Sequence, residues 1–194
     1  ASHINTEISD RGVVLIRNNY NDEFPGRVAF IDSSIKDRSI TCDRKEFFGM
    51  GSIKEPEAIK RVSLSGTVGA GFDPCAAMSV NVSLEPGEEK EMIFLLGAGK
   101  NAEETEYLSN KYRKPEEAKK ALEEVKKFWD GKLGAVQFYT QNSAMDILLN
   151  GWLMYQVITS RLWTRSAFYQ SGGAYGFRDQ LQDSMAVTHV WPEV

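Results

Sequence analysis

The chain has 194 residues, of which 42% are hydrophobic and 26% are charged, a balance typical of a folded protein rather than a disordered one. Its formal net charge is -4, so it lacks the basic excess of nucleic-acid-binding proteins, and we expect no nucleic-acid partner. No segment approaches the roughly 18 apolar residues that a membrane-spanning helix requires.

The first half of the chain carries the pattern of β-strands. Two short runs rich in β-branched residues, 12–16 and 27–31, are bounded by Asn, Asp, Gly or Pro, which favour turns. Cys42 and Cys75 are too few for a disulfide framework or a zinc cluster. We therefore expect two buried, reduced thiols, a state consistent with a cytoplasmic protein.

Residues 77–96 show the clearest strand pattern. Apolar and polar side chains alternate over 78–84, which places the apolar ones on a single sheet face. The Glu-Pro-Gly-Glu sequence at 85–88 predicts a turn, and the apolar run 92–96 predicts a returning strand. We expect these two strands to pair as a β-hairpin.

The segment 44–74 is less regular. Residues 55–58 predict a short helical turn. Gly66, Gly69 and Gly71 form a G-x-x-G-x-G pattern that resembles a phosphate-binding loop. Because the helix that such a loop requires does not follow, we expect a set of loops or bulges instead.

The composition changes after residues 97–99, and from Asn101 the chain becomes charged and helical. Pro115 and the acids that follow it suit the first turn of a helix, and Gly131 is its expected end. A second helix is expected over 143–165, where apolar residues occur nearly all round. Such a helix is buried by neighbours on several sides, and we expect these neighbours in sequence beyond Val194.

Residues 166–183 combine aromatic, glycine and polar residues. The glycines let the backbone approach a ligand closely, and the aromatic rings are suited to stacking on sugar rings. The glycines are Gly172, Gly173 and Gly176, and the aromatic residues are Tyr169, Tyr175 and Phe177.

A new helix is expected from Arg178, with Leu181, Met185 and Val187 facing an interior. Asp179 and Asp183 are four residues apart and share a helix face, a repulsion of roughly 0.2–0.5 kcal/mol when exposed. Either Arg178 or the hydroxyls of a bound sugar offset this repulsion.

Arg178 and Gln182 also lie one turn apart and are able to face the same cleft. The alternative to a sugar site is an ordinary helix start with acids in its first turn and an internal ion pair. His3 and His189 lack neighbours at ligand spacing, so we expect surface or packing histidines and no metal site.

Residues 169–183 resemble a signature of glycoside hydrolase family 94, the inverting sugar phosphorylases. Residues 43–49 and 69–77 resemble stretches of that family's β-sandwich domain. Within the second stretch, the sequence Asp73-Pro74-Cys75 resembles the branch of the family that acts on β-1,2-glucans, including the C-terminal part of cyclic β-1,2-glucan synthetases.

The resemblance implies an α+β multidomain fragment. Residues 1–98 would be the latter part of an antiparallel β-sandwich (the β-supersandwich domain), 99–141 a helical linker, and 142–194 the first helices of an (α/α)6 barrel. Family members are often dimers, so a homodimer is an expected partner, together with the rest of the barrel.

The resemblance also implies a reaction. Family members cleave a β-linked oligosaccharide with inorganic phosphate as co-substrate, without a cofactor, and release an α-sugar 1-phosphate. Arg178 and Asp183 would bind hydroxyls of the sugar, supported by Asp179 and Gln182. The general-acid Asp and most phosphate ligands are expected downstream of Val194, so no catalytic residue is assigned, and the chain alone is expected to be inactive.

Two alternatives stay open. In the first, the chain is the chain-length-controlling C-terminal part of a cyclic β-1,2-glucan synthetase, and membrane association through flanking segments is expected. A non-catalytic carbohydrate-binding module is the other alternative, and it would lack the Trp- and Asp-rich acid motif further along the parent sequence.

Overall fold

Antiparallel strands make up much of the first half of the chain in the computed structural model, which describes residues 3–20, 22, 24–163 and 177–194. The chain divides into two units, Ala1–Lys120 and Ala121–Val194. The predicted domain boundaries near residues 98 and 141 stay predictions. The strands of the first unit are β1 (Ile4–Ile8), β2 (Val14–Asn18), β3 (Val28–Ser33), β4 (Arg38–Asp43), β5 (Pro74–Val80) and β6 (Phe94–Gly99).

These strands form two antiparallel sheets that pack face to face. The larger sheet has the order β1-β2-β3-β6, and the smaller one pairs β4 with β5. Val14 of the larger sheet and Ile40 and Cys42 of the smaller sheet form one buried cluster between them. The prediction of an antiparallel β-sandwich is therefore confirmed, as are the strands predicted at 12–16 and 27–31.

The opposite face of the larger sheet is covered by helix α2 (Ala102–Tyr112). A second buried cluster forms there, from Val13, Leu15, Val28 and Phe30, with Leu95, Ala102 and Leu108 packed against it. Alternate residues of β2 thus contribute to different clusters, as the period-two geometry of a strand requires.

The predicted hairpin over residues 77–96 is wrong. The turn at 85–88 forms, with the Glu88 N–H donating to the Glu85 carbonyl at 2.9 Å. However, β5 pairs with β4 in the smaller sheet, whereas β6 pairs with β3 in the larger one. Alternation identifies the face of a strand that is buried, but the strand it pairs with is decided by residues distant in sequence.

The segment between β4 and β5 contains helix α1 (Arg44–Phe48), which the sequence did not predict, and a 3-10 turn (Glu57–Lys60) close to the predicted helical turn. The glycine-rich stretch is a loop, as expected, and Gly69 has a φ of 125°. The buried Thr6 side chain holds this loop, accepting from the Gly69 N–H at 2.9 Å and donating to the Gly69 carbonyl at 3.1 Å.

A buried charged group fastens α2 to the sheet. The Asp32 side chain of β3 has no exposed surface, and Nη1 of Arg38 lies 2.5 Å from its Oδ1. The same Nη1 donates a hydrogen bond to the Ser33 carbonyl at 2.8 Å. From α2, Ser109 donates a hydrogen bond to Oδ2 of Asp32, and Nη1 of Arg113 lies 4.0 Å away.

Most of the described residues after α2 are helical. The helices are α3 (Pro115–Leu133), α4 (Ser143–Ile147), α5 (Leu153–Gln156) and α6 (Phe177–Val187), with π-helical turns at Leu148–Trp152 and Val157–Trp163. Helix α3 ends two residues after Gly131, the predicted end. The helix predicted over 143–165 is present as far as Trp163, but π-helical turns interrupt it. In one of them the Thr159 hydroxyl donates to the Tyr155 carbonyl at 2.8 Å, a bond that competes with the helix ladder.

The core of the second unit is small. Ile158, Val187 and Val190 are buried, and Trp129, Met154 and Leu162 are among the residues packed against them. Helix α6 begins where the sequence predicted, but Leu181 and Met185 do not face this interior, since they are 51% and 60% exposed. The prediction is therefore wrong for Leu181 and Met185 and confirmed for Val187, which is buried in the same cluster as Ile158.

Within the part of the chain that the structure describes, every helix is too short or too polar to span a membrane.

Candidate functional site

Helix α6 carries the four residues predicted to bind sugar: Arg178, Asp179, Gln182 and Asp183. Arg178 and Gln182 are exposed, and Asp183 is half-buried. The side chain of Asp179 lies outside the described residues. One helix therefore presents an arginine, an amide and a carboxylate within six residues.

Asp183 has a partner that the sequence did not predict. Nε of Arg161, in the π-helical turn Val157–Trp163, lies 2.5 Å from Oδ2 of Asp183. The side chains are 20% and 33% exposed, so solvent only partly screens their attraction. Arg161 is the single Lys or Arg between Ser143 and Trp163. Because a buried charge needs a partner, this one cation in an apolar helix is the sequence feature that indicates a carboxylate nearby.

The helices that carry this ion pair are held together by apolar packing. Ile158, three residues before Arg161, is fully buried, and Val187, four residues after Asp183, is 3% exposed. Both belong to the same cluster. The ion pair thus lies beside the apolar contact that sets the distance between the two helices.

The segment that carries most of the sugar-stacking prediction, residues 164–176, lies outside the described residues. It includes Tyr169, Tyr175 and the glycines Gly172, Gly173 and Gly176. Of the predicted stacking residues, Phe177 is described, and it is exposed at the start of α6.

A row of aromatic rings lies in the second unit. The Trp129 ring centroid is 5.0 Å from that of Tyr155 and 5.3 Å from that of Trp163. Trp152 stacks on Tyr155 at 6.1 Å. Trp152 and Trp163 are 56% and 52% exposed, so flat apolar faces remain open to a ligand or to further protein.

An apolar cavity of about 410 Å³ lies in the same unit. His189 is the polar exception in its lining, which otherwise consists of Leu133, Val136, Phe138, Leu149, Met154, Ala186 and Val190. A sugar requires several convergent polar groups, which this lining does not supply. The cavity is therefore not the sugar site, and His189, which lines it, is exposed.

The two shorter motifs, 43–49 and 69–77, contact each other in the first unit. Nε of Arg44 lies 3.6 Å from Oδ2 of Asp73, and the Arg44 N–H donates to the Asp73 carbonyl at 2.9 Å. Asp43 caps α1 by accepting from the Lys45 N–H at 2.9 Å. These motif residues therefore build the local fold of the sandwich.

Glu46 of α1 is the centre of a second polar cluster. Its carboxylate accepts hydrogen bonds from the Thr41 and Ser65 hydroxyls and from the Ser65 N–H at 2.9 Å, and Nη1 of Arg61 lies 3.1 Å away. Burial raises the pKa of Glu46, but the hydrogen bonds from Ser65 and Thr41, with Arg61, outweigh it and hold the pKa below its ordinary value.

Both cysteines are free thiols, with Cys42 buried and Cys75 half-buried. Burial raises the pKa of Cys42, and burial together with the neighbouring Cys42 raises the pKa of Cys75 to about 11. Thiols with raised pKa values are poor nucleophiles, so neither has the character of a catalytic cysteine.

Comparison with known proteins gives matches over both units. The profile described as "Glycosyl hydrolase 94, supersandwich domain" matches residues 1–115, and the profile described as "Glycosyl hydrolase 94 superfamily, catalytic domain" matches residues 128–194. The predicted order of a β-sandwich followed by the start of a helical catalytic domain is confirmed.

Similar proteins include a cyclic beta-(1,2)-glucan synthase, NdvB, of Rhizobium meliloti (strain 1021), which is 38% identical over 87% of this chain and 6% of its own length. An N,N'-diacetylchitobiose phosphorylase of Vibrio proteolyticus is 29% identical over 89% of this chain and 22% of its own length. A 3-O-beta-D-glucopyranosyl-beta-D-glucuronide phosphorylase of Paenibacillus borealis is 28% identical over 79% of this chain and 19% of its own length. The chain thus spans less than a quarter of the length of these relatives.

Proposed function

The chain belongs to glycoside hydrolase family 94, and on that premise we propose that the protein carrying it cleaves β-linked gluco-oligosaccharides with inorganic phosphate. The reaction inverts the anomeric centre and releases an α-sugar 1-phosphate. The observation that carries the proposal is the match of the family's catalytic domain to residues 128–194, the segment that contains α6.

The chemistry needs one acid and one nucleophile. A phosphate oxygen attacks the anomeric carbon from the face opposite the glycosidic bond, the bond to the leaving oxygen breaks, and a carboxylic acid protonates that oxygen. Phosphate takes the place of the water and base of an inverting hydrolase. We assign the acid and most phosphate ligands to sequence downstream of Val194, and no cofactor takes part.

The part played by this chain is to bind the sugar whose bond is cleaved. Asp183 accepts hydrogen bonds from sugar hydroxyls, Arg178 donates to them, and Asp179 and Gln182 support these two. The half-buried position of Asp183 supports this role, because a partly desolvated carboxylate forms stronger hydrogen bonds than one in open water.

We propose β-1,2-linked glucans as the substrate class. The relative with 38% identity is a cyclic beta-(1,2)-glucan synthase, whereas the two phosphorylases named above are 29% and 28% identical. The same identity favours a second candidate, that the chain is part of a cyclic β-1,2-glucan synthetase. The two candidates share phosphorolysis and differ in membrane association, which only the second predicts; otherwise the expected location is cytoplasmic.

The exposed apolar faces of the second unit support a further assignment, the rest of the catalytic barrel as a partner within the same protein. Ile147 and Trp152 are 74% and 56% exposed, although both lie in an apolar helix. We keep a homodimer as a proposal that light scattering on the full-length protein would test.

The test uses the full-length protein with β-1,2-gluco-oligosaccharides and, in parallel, cellobiose, each with and without phosphate. We expect glucose 1-phosphate to form only with phosphate, and faster from the β-1,2-linked substrate. Release of free glucose without phosphate would instead indicate a hydrolase. Glucan binding without any turnover would indicate a carbohydrate-binding module, and either result contradicts the proposal.

A further inference from the structure

We propose that Arg161 is a positioning residue for the carboxylate of Asp183, an inference that rests on the proposed sugar-binding function of Asp183. Nε of Arg161 lies 2.5 Å from Oδ2 of Asp183. At this distance the guanidinium attracts Oδ2 more strongly than the other carboxylate oxygen, and side chains that are only 20% and 33% exposed limit the screening of that attraction. Arg161 therefore holds the Asp183 carboxylate in place at its Oδ2 oxygen.

The packing beside the ion pair makes this geometry independent of a ligand. Ile158 and Val187 are buried against each other's helices in one cluster, within about one turn of Arg161 and Asp183 respectively. Because the helix spacing is set by apolar contacts, the guanidinium and the carboxylate meet without any sugar present. A binding group that is already oriented loses less conformational entropy when its ligand binds.

The ion pair with Arg161 leaves Asp183 able to bind sugar hydroxyls. An aspartate carboxylate has two oxygens with about four acceptor positions, and the Nε contact engages Oδ2. The other positions are able to accept sugar hydroxyls. Arg161 thus acts through Asp183, whereas Asp183 contacts the substrate.

Arginine suits this role better than lysine. Its guanidinium is planar and donates along fixed directions, whereas the lysine ammonium is a compact charge on a flexible stem. A lysine at position 161 would keep the charge near Asp183 but would orient the carboxylate less firmly. If Arg161 orients the carboxylate, a lysine at position 161 should retain more activity than a neutral glutamine but less than the arginine. If it only balances the charge, lysine and arginine should be equivalent.

The test is a double-mutant cycle in the full-length protein, with phosphorolysis of a β-1,2-gluco-oligosaccharide as the assay. The variants are R161Q, R161K, D183N and R161Q/D183N. The matched control is K126Q, which removes an exposed cation that pairs with Glu123 at 2.7 Å in the same unit. For each variant kcat, KM and Tm are measured.

We expect D183N to lower kcat/KM by about 100-fold or more, R161Q by about tenfold, and R161K by less than R161Q. In the D183N background, R161Q should lower kcat/KM no further than about twofold, because the group it positions is already lost. K126Q should match the unmodified protein.

Three results would overturn the inference: R161Q lowers Tm but leaves kcat/KM unchanged, R161K is no more active than R161Q, or the effects of R161Q and D183N multiply. A different result, unchanged kcat/KM in D183N, would overturn the proposed function of Asp183 itself. If R161Q does not fold, R161K and R161K/D183N complete the same cycle.

Discussion

Nη1 of Arg38 lies 2.5 Å from Oδ1 of Asp32, a carboxylate with no exposed surface. The other oxygen of Asp32 accepts a hydrogen bond from Ser109 of α2. The pair therefore connects β4, β3 and α2 through a single buried charge.

Replacing Arg38 by Met should lower the free energy of unfolding by about 3–5 kcal/mol, because it leaves the Asp32 charge buried without its closest partner. The measurement is urea denaturation. Arg11 pairs with Glu106 at 3.7 Å and its side chain is 61% exposed, so Arg11→Met serves as the control and should change stability by less than about 1 kcal/mol. Equal effects of the two substitutions would contradict the structural role of Asp32.

Glu46 should make stability depend on pH. Burial alone would raise its pKa, but its hydrogen bonds from Ser65 and Thr41 outweigh burial and hold the pKa in the folded protein below its ordinary value. As pH falls, the unfolded state binds the proton first, so the stabilisation is complete above the unfolded pKa and is lost as pH falls through the folded pKa. The stability difference between the protein and Glu46→Gln should thus be larger at pH 7 than at pH 3, and a difference independent of pH would contradict this.

Two glycines should respond in opposite ways to alanine. A Cβ on Gly97 of β6 would lie 2.6 Å from the Phe30 ring, so Gly97→Ala should destabilise the sandwich by about 1–3 kcal/mol. A Cβ on Gly131, inside α3, meets nothing within 4 Å. Gly131→Ala should therefore stabilise the protein by about 0.5–1 kcal/mol through helix propensity. Denaturation midpoints that shift in the same direction would be inconsistent with this packing.

Cys75 should react slowly with alkylating reagents in the folded protein. Burial and the neighbouring Cys42 raise its pKa to about 11, so at pH 8 only about one thiol in a thousand is the reactive thiolate. Iodoacetamide labelling, followed by mass spectrometry to separate Cys75 from Cys42, should be more than about 100-fold slower in the folded state than in urea. Comparable rates in both states would show that the thiol is not buried as described.

The predictable parts of the structure are those set by local pattern. The strands at 12–16 and 27–31 and a helix from about Arg178 follow from residue type and spacing, and each is present. The strand that pairs with β5 could not be predicted from local pattern, because it is β4, more than thirty residues earlier in the chain. Local sequence indicates which face of a strand is buried, but it does not indicate which other strand pairs with it.

The same limit applies to the candidate site. The carboxylates of α6 stand out in the sequence because of their spacing, but the partner of Asp183 is Arg161, on a different helix. The sequence shows an arginine that interrupts an apolar segment, and only the packing of Ile158 and Val187 brings that arginine to the acid. Tertiary contacts, rather than helix periodicity, decided this pairing.

The most direct test of the sugar-binding claim for α6 compares D183N with D130N in the full-length protein, since Asp130 is an exposed carboxylate of the second unit. The measurement is the initial rate at which a β-1,2-gluco-oligosaccharide and phosphate form α-glucose 1-phosphate, followed by proton NMR of the anomeric signal. We expect the α-anomer as first product, an unchanged rate in D130N and a rate at least about 100-fold lower in D183N. A β-anomer as first product, or equal rates in the two variants, would contradict this expectation.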